Sequence, residues 1–553
     1  MEKAQEITSK IWEMANCLRG NMDASEYRDY ILGFMFYRYL SEHQEAKLIE
    51  NEVVFPEEGQ SVNEAYLTQV PSEDLNDVLL DIAGSLGYAI SPQYTWATIV
   101  SKVHDNKIKA SDYQDMFDDF DRNLSLNKNA KVDFSGVFDD MNLTNSRLGN
   151  STAARAKALT NIIDLVDEIE YKDENGKDIL GDIYTYLIAE FASNSGKKAG
   201  EFYTPHEVSQ VLATLAAEGL SEDNEKPSVY DFACGSGSLL LTVKDQLKNP
   251  NAKDALRYDG QELNTTTYNL ARMNLMMHGV KYENMDIRNA DTLETDWPDG
   301  VDDQGVDHPR SFDMVVANPP YSAHWDNNDN KLKDPRFKEY GALAPKTKAD
   351  YAFLLHGLYH LKADGTMAIV LPHGVLFRGA KEAKIRKALL DKNQIDAVIG
   401  LPANLFYSTG IPTVVLVLKK NKATRDVLFI DASKGFEKDK NQNKLRQEDI
   451  DKIISTYQER KDVDKYAHVA IMDEIKENDY NLNIPRYVDT FEPEPPVDLG
   501  ELTQEMAETQ KEIEANEKEL VSMMKNLTSK DEKTQQDLDN FIAMLENEVK
   551  QNG

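Results

Sequence analysis

Cysteine is almost absent from this chain of 553 residues, where Cys17 and Cys234 are the two present. They lie far apart and neither belongs to a CxxC pair, which excludes a disulfide framework and a structural zinc site of the usual spacing. Long apolar runs are absent as well. No stretch approaches the roughly 20 residues of a membrane span, and the start MEKAQEITSKIWEMANCLRG lacks the apolar centre of a signal peptide. A soluble chain in the reducing cytoplasm is the expectation. Positive charge is in deficit: 62 Lys and Arg stand against 96 Asp and Glu, a net charge of -34. Such a surface, taken whole, repels phosphate. A chain of this composition acts on nucleic acid only through a local basic channel or a partner that supplies the grip, and an acidic enzyme with small-molecule substrates is the competing class.

The length is enough for two or three domains. Residues 1–165 read as a helical domain, in which Tyr27, Tyr30, Ile31, Phe34, Met35, Tyr39 and Leu40 recur at three and four and predict one buried stripe. His43 and His104 carry no sign of a reactive centre. A second domain spans 166–490. It begins with the helical run ILGDIYTYLIAEFAS, which gives way to NSGKKAGEFYTPHEVSQVLATLA; Gly196, Gly200 and Pro205 interrupt it before a helix that starts near His206. Pro205 suits a first turn, and Thr204 is placed to cap it. From 227 to 420 the short runs SVYDFA, LRYDGQE, MDIRNAD, FDMVVANPP, GTMAIVLP, IDAVIGLP and TVVLVLKK alternate with stretches such as TTTYNLARMNLMMHG. Short apolar runs separated by crossover-length helices predict a doubly wound α/β domain with a mostly parallel sheet. VLFIDASKGF reads as a further strand, and KDKNQNKLRQED as a loop or short helix. The final part, 491–553, holds the stiff linker EPEPPVDLG. Two amphipathic helices follow, anchored by Met506, Ile513, Leu520 and Leu527 at sevens and by Leu538, Ile542, Leu545 and Val549 at fours and threes. They predict a hairpin or a face for a partner helix.

Chemistry concentrates at the carboxyl ends of the expected strands, where ligands bind in this architecture. In VYDFACGSGSLLLTV a strand ending at Asp231 enters a turn with Gly235 and Gly237, which allow the backbone close approach to a ligand. No Lys-Ser/Thr follows the glycines, so a phosphate-cradling loop is excluded. In DGQEL, Glu262 ends the next strand, where a carboxylate accepts both hydroxyls of a ribose. Asp286 and Asp291 cluster in MDIRNADTL. Acidic strand ends around one cleft disfavour a phosphate-rich ligand and favour an adenosine with a neutral or positive remainder. In FDMVVANPPY, Asn318 closes an apolar strand, and Pro319 and Pro320 stiffen the turn so that the carboxamide and the Pro319 carbonyl point to one place. Two acceptors aimed at an exocyclic amine favour the tetrahedral nitrogen that forms as it attacks a methyl group. Tyr321 adds an aromatic face for a planar base.

DFACGSG, the acid of GQE, ADTL and NPPY together resemble the amino-methyltransferases that use S-adenosylmethionine. With GEFYTP upstream and LPANLFYSTGIPTVVLVL downstream, the chain resembles the modification subunit of a type I restriction-modification system, most specifically over 196–415. The resemblance implies a Rossmann-like S-adenosylmethionine-dependent methyltransferase domain flanked by a helical N-terminal domain and C-terminal helices. It implies Gly235 and Gly237 at the methionine part of the cofactor, Glu262 at the ribose and Asp291 at the adenine amino group, with Asp231 a further cofactor-binding residue. Glu201 to Pro205 would wall the methionine end, with Phe202 and Thr204 the contacts. Asn318, Pro319, Pro320 and Tyr321 would hold a flipped adenine at N6, and Phe406 or its neighbour Tyr407 would pack on the other face of the base.

The order of these motifs, and NPPY in place of SPPY, imply site-specific methylation of adenine N6 in DNA. The sulfonium already activates the methyl group, so no metal is expected. No basic recognition helix, zinc finger or helicase loop is present in the sequence. The resemblance accounts for this: a specificity subunit reads the target, two modification subunits methylate it, and a restriction subunit translocates and cuts. Lys331, Lys333, Arg336, Lys346 and Lys348 are then expected as a phosphate-facing rim, and the C-terminal helices as the specificity subunit's docking face. A protein or RNA amino-methyltransferase, or a silent assembly subunit, are the competing readings.

Overall fold

The structure is a computed structural model that describes residues 11–12, 22, 24–171, 179–195, 204–294, 309–406, 409–439, 442–490 and 498–552. It divides into two compact units, Met1–Thr490 and Phe491–Gly553.

The first unit is built on a mixed sheet that has nine strands among the described residues. In chain order these are β1 (Ser228–Asp231), β2 (Arg257–Glu262), β3 (Met285–Asn289), β4 (Phe312–Ala317), β5 (Leu361–Pro372), β6 (Ile395–Gly400), β7 (Thr413–Lys419) and β8 (Asp426–Asp431), with β11 (Ala467–Ile471) at the edge. A separate ribbon pairs β9 (Glu437–Asp439) with β10 (Gln442–Lys444). The order across the sheet is β11-β8-β6-β7-β5-β4-β1-β2-β3. β7 runs antiparallel to both β5 and β6, and β11 is antiparallel to β8; the remaining neighbours are parallel. β1 lies between β2 and β4, so the chain reverses its direction of travel across the sheet there and opens a crevice at the strand ends.

The central strands are buried on both faces, which is why they read as unbroken apolar runs. Val316, Val370, Ile399 and Val417 point into one core and Val315, Ile369, Val398 and Leu416 into the other, as the two-residue period of a strand requires. The first core is shared with the helices His206–Ala217, Ser238–Gln246 and Thr265–Met277, and the second with Asp350–Tyr359 and Ala380–Asp391. The segment expected as loop or short helix after β8 forms the β9–β10 ribbon and the helix Gln447–Glu459.

The N-terminal part is helical, and its core is continuous with the first face of the sheet. Its centre is the helix Ala24–Glu50, which is buried almost all round from Tyr27 to Ser41 rather than along one stripe. The reason is that its polar positions find partners inside. Gln44 exchanges two hydrogen bonds with the backbone of Ile90, at 2.8 and 2.7 Å, and Arg38 donates to the Val166 carbonyl at 2.6 Å. Tyr39 donates to the Met276 carbonyl at 2.8 Å, and Arg272 donates to the carbonyls of Asp133 and Ser135 at 3.0 Å each. These bonds seat the helix Thr265–Met277, and with it the end of β2, against the helical domain.

The second unit is a helical hairpin, Leu499–Met524 and Glu532–Asn552, closed by an ion pair between Lys525 and Glu546. Leu538, Ile542 and Leu545 are half-buried, whereas Met506, Ile513, Leu520 and Leu527 are exposed. No helix among the described residues is long and apolar enough to cross a membrane.

Candidate active site

The turn after β1 is made by two left-handed residues, Gly235 at φ +54° and Gly237 at φ +77°, the second of which caps the helix Ser238–Gln246. A side chain at either φ is strained, so glycine is what this geometry requires. Asp231 at the end of β1 accepts from the Ala233 N–H at 3.0 Å and tightens the turn from below. Burial pushes its carboxyl up to about 8; the Ala233 hydrogen bond opposes that shift and the nearby Glu262 charge adds to it. Burial also holds the Cys234 thiol well above its ordinary range, with the charges of Asp231 and Glu262 reinforcing it. This free, buried cysteine is therefore a packing residue and not a nucleophile.

Glu262 at the end of β2 faces this turn. One of its oxygens accepts from the Gly235 N–H at 3.1 Å and the other from the Asn264 N–H at 2.8 Å. Two backbone donors thus fix the plane of the carboxylate. Asp291, beyond β3, accepts from the Leu293 N–H at 3.0 Å. Gly235, Glu262, Asp291, Asn318 and Pro320 line one cavity of about 610 Å³. Asp231 and Gly237 shape its turn without lining it. Asp286 does not join Asp291 there: it sits near the start of β3 and pairs with Arg310 at 2.8 Å, beside the fully buried Asp259.

Asn318 follows β4 and is 8% exposed. Its carboxamide nitrogen donates to Thr204 Oγ1 at 3.0 Å, and its oxygen accepts from the Tyr321 hydroxyl at 2.7 Å. Burial, with Asp350 adding to it, keeps the Tyr321 phenol well above its ordinary range, so it stays a donor. Ser322, at φ +51°, donates its N–H to Asp350 at 2.8 Å, and Arg378 holds the other oxygen of Asp350 at 2.5 Å. The turn is thereby pinned to the second core. Phe406 is buried and meets the Tyr321 ring edge to face, 6.0 Å between centroids at 83°.

Three expectations are corrected. Thr204 does not cap the helix His206–Ala217, because Pro205 occupies the cap position without a side-chain bond and the Thr204 hydroxyl is engaged by Asn318. Arg336 is no part of a phosphate-facing rim, since it is 3% exposed and bound to Asp334. Lys331 is paired with Glu294 at 2.7 Å, which leaves Lys333 and Lys346 exposed. Glu201, Phe202, Tyr407 and Cys17 lie outside the described residues. Sequence reasoning missed Ile188, Phe232, Leu263, Leu270 and Phe353, which form the apolar part of the cavity wall, and Thr292 beside them. Leu263 carried a signal: it directly follows Glu262. Ile188 carried none, because it reaches the cavity from a helix that precedes the sheet.

Residues 175–495 match the N-6 DNA methylase family and residues 7–166 the HsdM N-terminal domain. The chain is 37% identical over 538 residues to the type I restriction enzyme MpnII methylase subunit of Mycoplasma pneumoniae, covering 95% of this chain and 97% of that one. It is 32% identical to the type I restriction enzyme MjaVII methylase subunit of Methanocaldococcus jannaschii, covering 89% and 79%. Among solved structures, the methyltransferase subunit of a type I restriction-modification system from Streptococcus thermophilus superposes with a TM-score of 0.79 at 44% identity, covering 88% of this chain and all of that one.

Proposed function

The chain belongs to the N-6 DNA methylase family, as a methylase subunit of a type I restriction-modification system, and on that premise we propose that it transfers the methyl group of S-adenosylmethionine to N6 of adenine in DNA chosen by a specificity subunit. The observation that carries this is the convergence of Glu262 and Asn318 on one cavity, each with its polar atoms oriented by neighbouring groups.

The donor set fits the cofactor. Glu262 presents an oriented carboxylate to a pair of ribose hydroxyls, and Asp291 presents one to an adenine amino group. Phe232, Leu263 and Phe353 supply apolar surface for the ring, and a cavity of about 610 Å³ is within the usual range for a ligand of this size. Gly235 lets the backbone approach the methionine end. When bound, the cofactor supplies a methyl group already activated by the sulfonium, so no metal is assigned to the reaction.

The protein's part is orientation and charge stabilisation at the acceptor nitrogen. The Asn318 oxygen has one lone pair occupied by Tyr321 and one to offer to the adenine N6 hydrogens, and the Pro319 carbonyl completes the pair of acceptors. Both strengthen as positive charge develops on nitrogen, which is where stabilisation accelerates the transfer. The Tyr321 ring gives the base a surface to stack on, and Phe406, packed at a right angle to that ring, supports it. Pro319 and Pro320 hold the turn rigid.

We assign residues 1–165 to a helical domain, 166–490 to the methyltransferase domain and 491–553 to the linker and the hairpin that docks on the specificity subunit. Two such chains per specificity subunit, joined by a restriction and translocation subunit in the cytoplasm, make up the assembly. Transfer of labelled methyl to adenine N6 in DNA, by this chain alone and with its specificity subunit, tests the reading. Activity only in the mixture supports it. Absence of transfer in both moves the substrate to a protein or RNA amide.

A further inference from the structure

The run between the Asn318–Tyr321 turn and the helix Asp350–Tyr359 contains two short 3-10 helices, Asp329–Lys333 and Lys338–Tyr340. Two cations from it end on consecutive carbonyls of the Asp291 turn. Lys331 donates to the Leu293 carbonyl at 3.2 Å. Arg336 donates to the Thr292 carbonyl at 2.9 Å, while Asp334 holds its remaining nitrogens at 2.7 and 3.0 Å. Thr292 in turn donates from its hydroxyl to the Phe232 carbonyl at 2.6 Å. Both Thr292 and Phe232 line the cavity.

The same nitrogen of Arg336 that reaches Thr292 also reaches His356 Nδ1, at 3.1 Å. A guanidinium has no acceptor, so Nδ1 must accept. Burial, with His360 and Arg336 adding to it, holds His356 well below its ordinary range and therefore neutral. Its single proton then sits on Nε2 and is donated to the Tyr230 oxygen at 2.7 Å, which leaves Tyr230 to donate to Gln261 Oε1 at 2.5 Å. Gln261 precedes Glu262, and its own carbonyl accepts the Cys234 N–H at 3.0 Å beside the glycine turn. One buried guanidinium therefore orders a chain of hydrogen bonds that ends behind Glu262 and also grips the residue that follows Asp291.

We propose that Arg336, assisted by Lys331, is a positioning residue for the cofactor: from the loop that follows the target-base turn, it fixes the two carboxylate-bearing turns that receive the adenosine. This rests on the reading of the cavity given above. It assigns to the loop a role that its basic composition did not suggest, since its buried cation serves the cofactor and not DNA phosphate.

The test is equilibrium binding of S-adenosylmethionine and S-adenosylhomocysteine to the full chain, together with steady-state methylation in the presence of the specificity subunit. Arg336→Gln loses the fan of donors, and the expected result is a rise in Kd of about tenfold, the size of one hydrogen bond of this kind. The rise is equal for both ligands because they share the adenosine, and KM for S-adenosylmethionine increases more than kcat falls. Arg336→Lys recovers part of the affinity. Lys331→Ala, which removes an outer contact and leaves the core intact, raises Kd about threefold, whereas Lys333→Ala matches the wild type. A folded Arg336→Gln chain with wild-type Kd overturns the proposal. If that variant fails to fold, wild-type affinity in Lys331→Ala overturns it instead. Failure of the wild type to bind either ligand refutes the cofactor reading itself, and the two failures are distinct.

Discussion

Replacing Asn318 with alanine separates the chemistry from cofactor binding. The carboxamide is held by two hydrogen bonds, from its nitrogen to Thr204 and to its oxygen from Tyr321. None of the polar contacts of Gly235, Glu262 or Asp291 described above passes through it. Removing a group that acts on charge developing in the transition state costs about 100- to 1,000-fold in kcat, or about 2.7–4 kcal/mol. The Tyr321 hydroxyl also loses its bond to Asn318, which lowers stability by about 1–3 kcal/mol. The expected outcome is a folded chain with a lower melting temperature, S-adenosylmethionine affinity within about threefold of wild type, and transfer lower by about two to three orders of magnitude. Asn318→Asp discriminates further. A carboxylate still accepts from Tyr321, and the Thr204 hydroxyl can turn to donate to it, so this variant keeps the turn and retains more activity than alanine. Initial rates of labelled methyl transfer at saturating cofactor, read beside thermal melts and titration calorimetry, provide the measurement. Full activity in Asn318→Ala would refute the reasoning, and so would a loss of cofactor affinity as large as the loss of rate.

Glu262→Ala removes an acceptor oriented by the Gly235 and Asn264 N–H groups, and S-adenosylmethionine affinity should fall ten- to about a hundredfold, the value of a charge-assisted hydrogen bond of about 1.5–3 kcal/mol; an unchanged Kd by calorimetry would remove Glu262 from the site. Asp231 should impose a pH dependence on stability. Its carboxyl ionises near pH 3.9 in the unfolded chain but at about 8 in the fold. Between those values the folded chain holds the extra proton, so this group's contribution to stability declines as pH rises from about 4 to about 8. Asp231→Asn stays neutral and still accepts from Ala233, so its melting temperature relative to wild type should climb across that window; a flat or falling difference contradicts the buried-acid account. Leu520→Asp combined with Leu527→Asp alters side chains that are 49% and 56% exposed, so the chain should fold and bind cofactor as before while co-purification with the specificity subunit weakens. Unchanged co-purification would place the docking face elsewhere.

The strands at the centre of the sheet were readable because burial on both faces demands apolar residues at every position, as in Val414–Leu418. The edge strand β11 was not, since AHVAI includes a histidine and two half-buried positions. The β9–β10 ribbon is polar and carries no alternation, so only its backbone pairing reveals it. For the helix Ala24–Glu50 the period was right and the burial underestimated. Arg38, Ser41 and Gln44 look like solvent positions until their partners at Val166, Trp96 and Ile90 are seen. Arg336 failed for the same reason: a basic run is legible along the chain, and the carbonyl that claims one member of it is not.

What the sequence determined by itself is local. Asp231 with the glycines after it, Glu262 at a strand end and Asn318 before two prolines each depend on neighbours a few residues away, so motif and conformation coincide. The tertiary structure decided how these pieces meet. Glu262 and Asn318 share a cavity because β1 sits between β2 and β4, and Thr204 orients Asn318 across 114 residues of chain. Ile188 enters the wall because Tyr184 and Thr185 bond its helix, Leu180–Ser195, to Met273 and Asn274 of the helix Thr265–Met277. Such contacts join residues far apart in the chain, and no spacing along it records them.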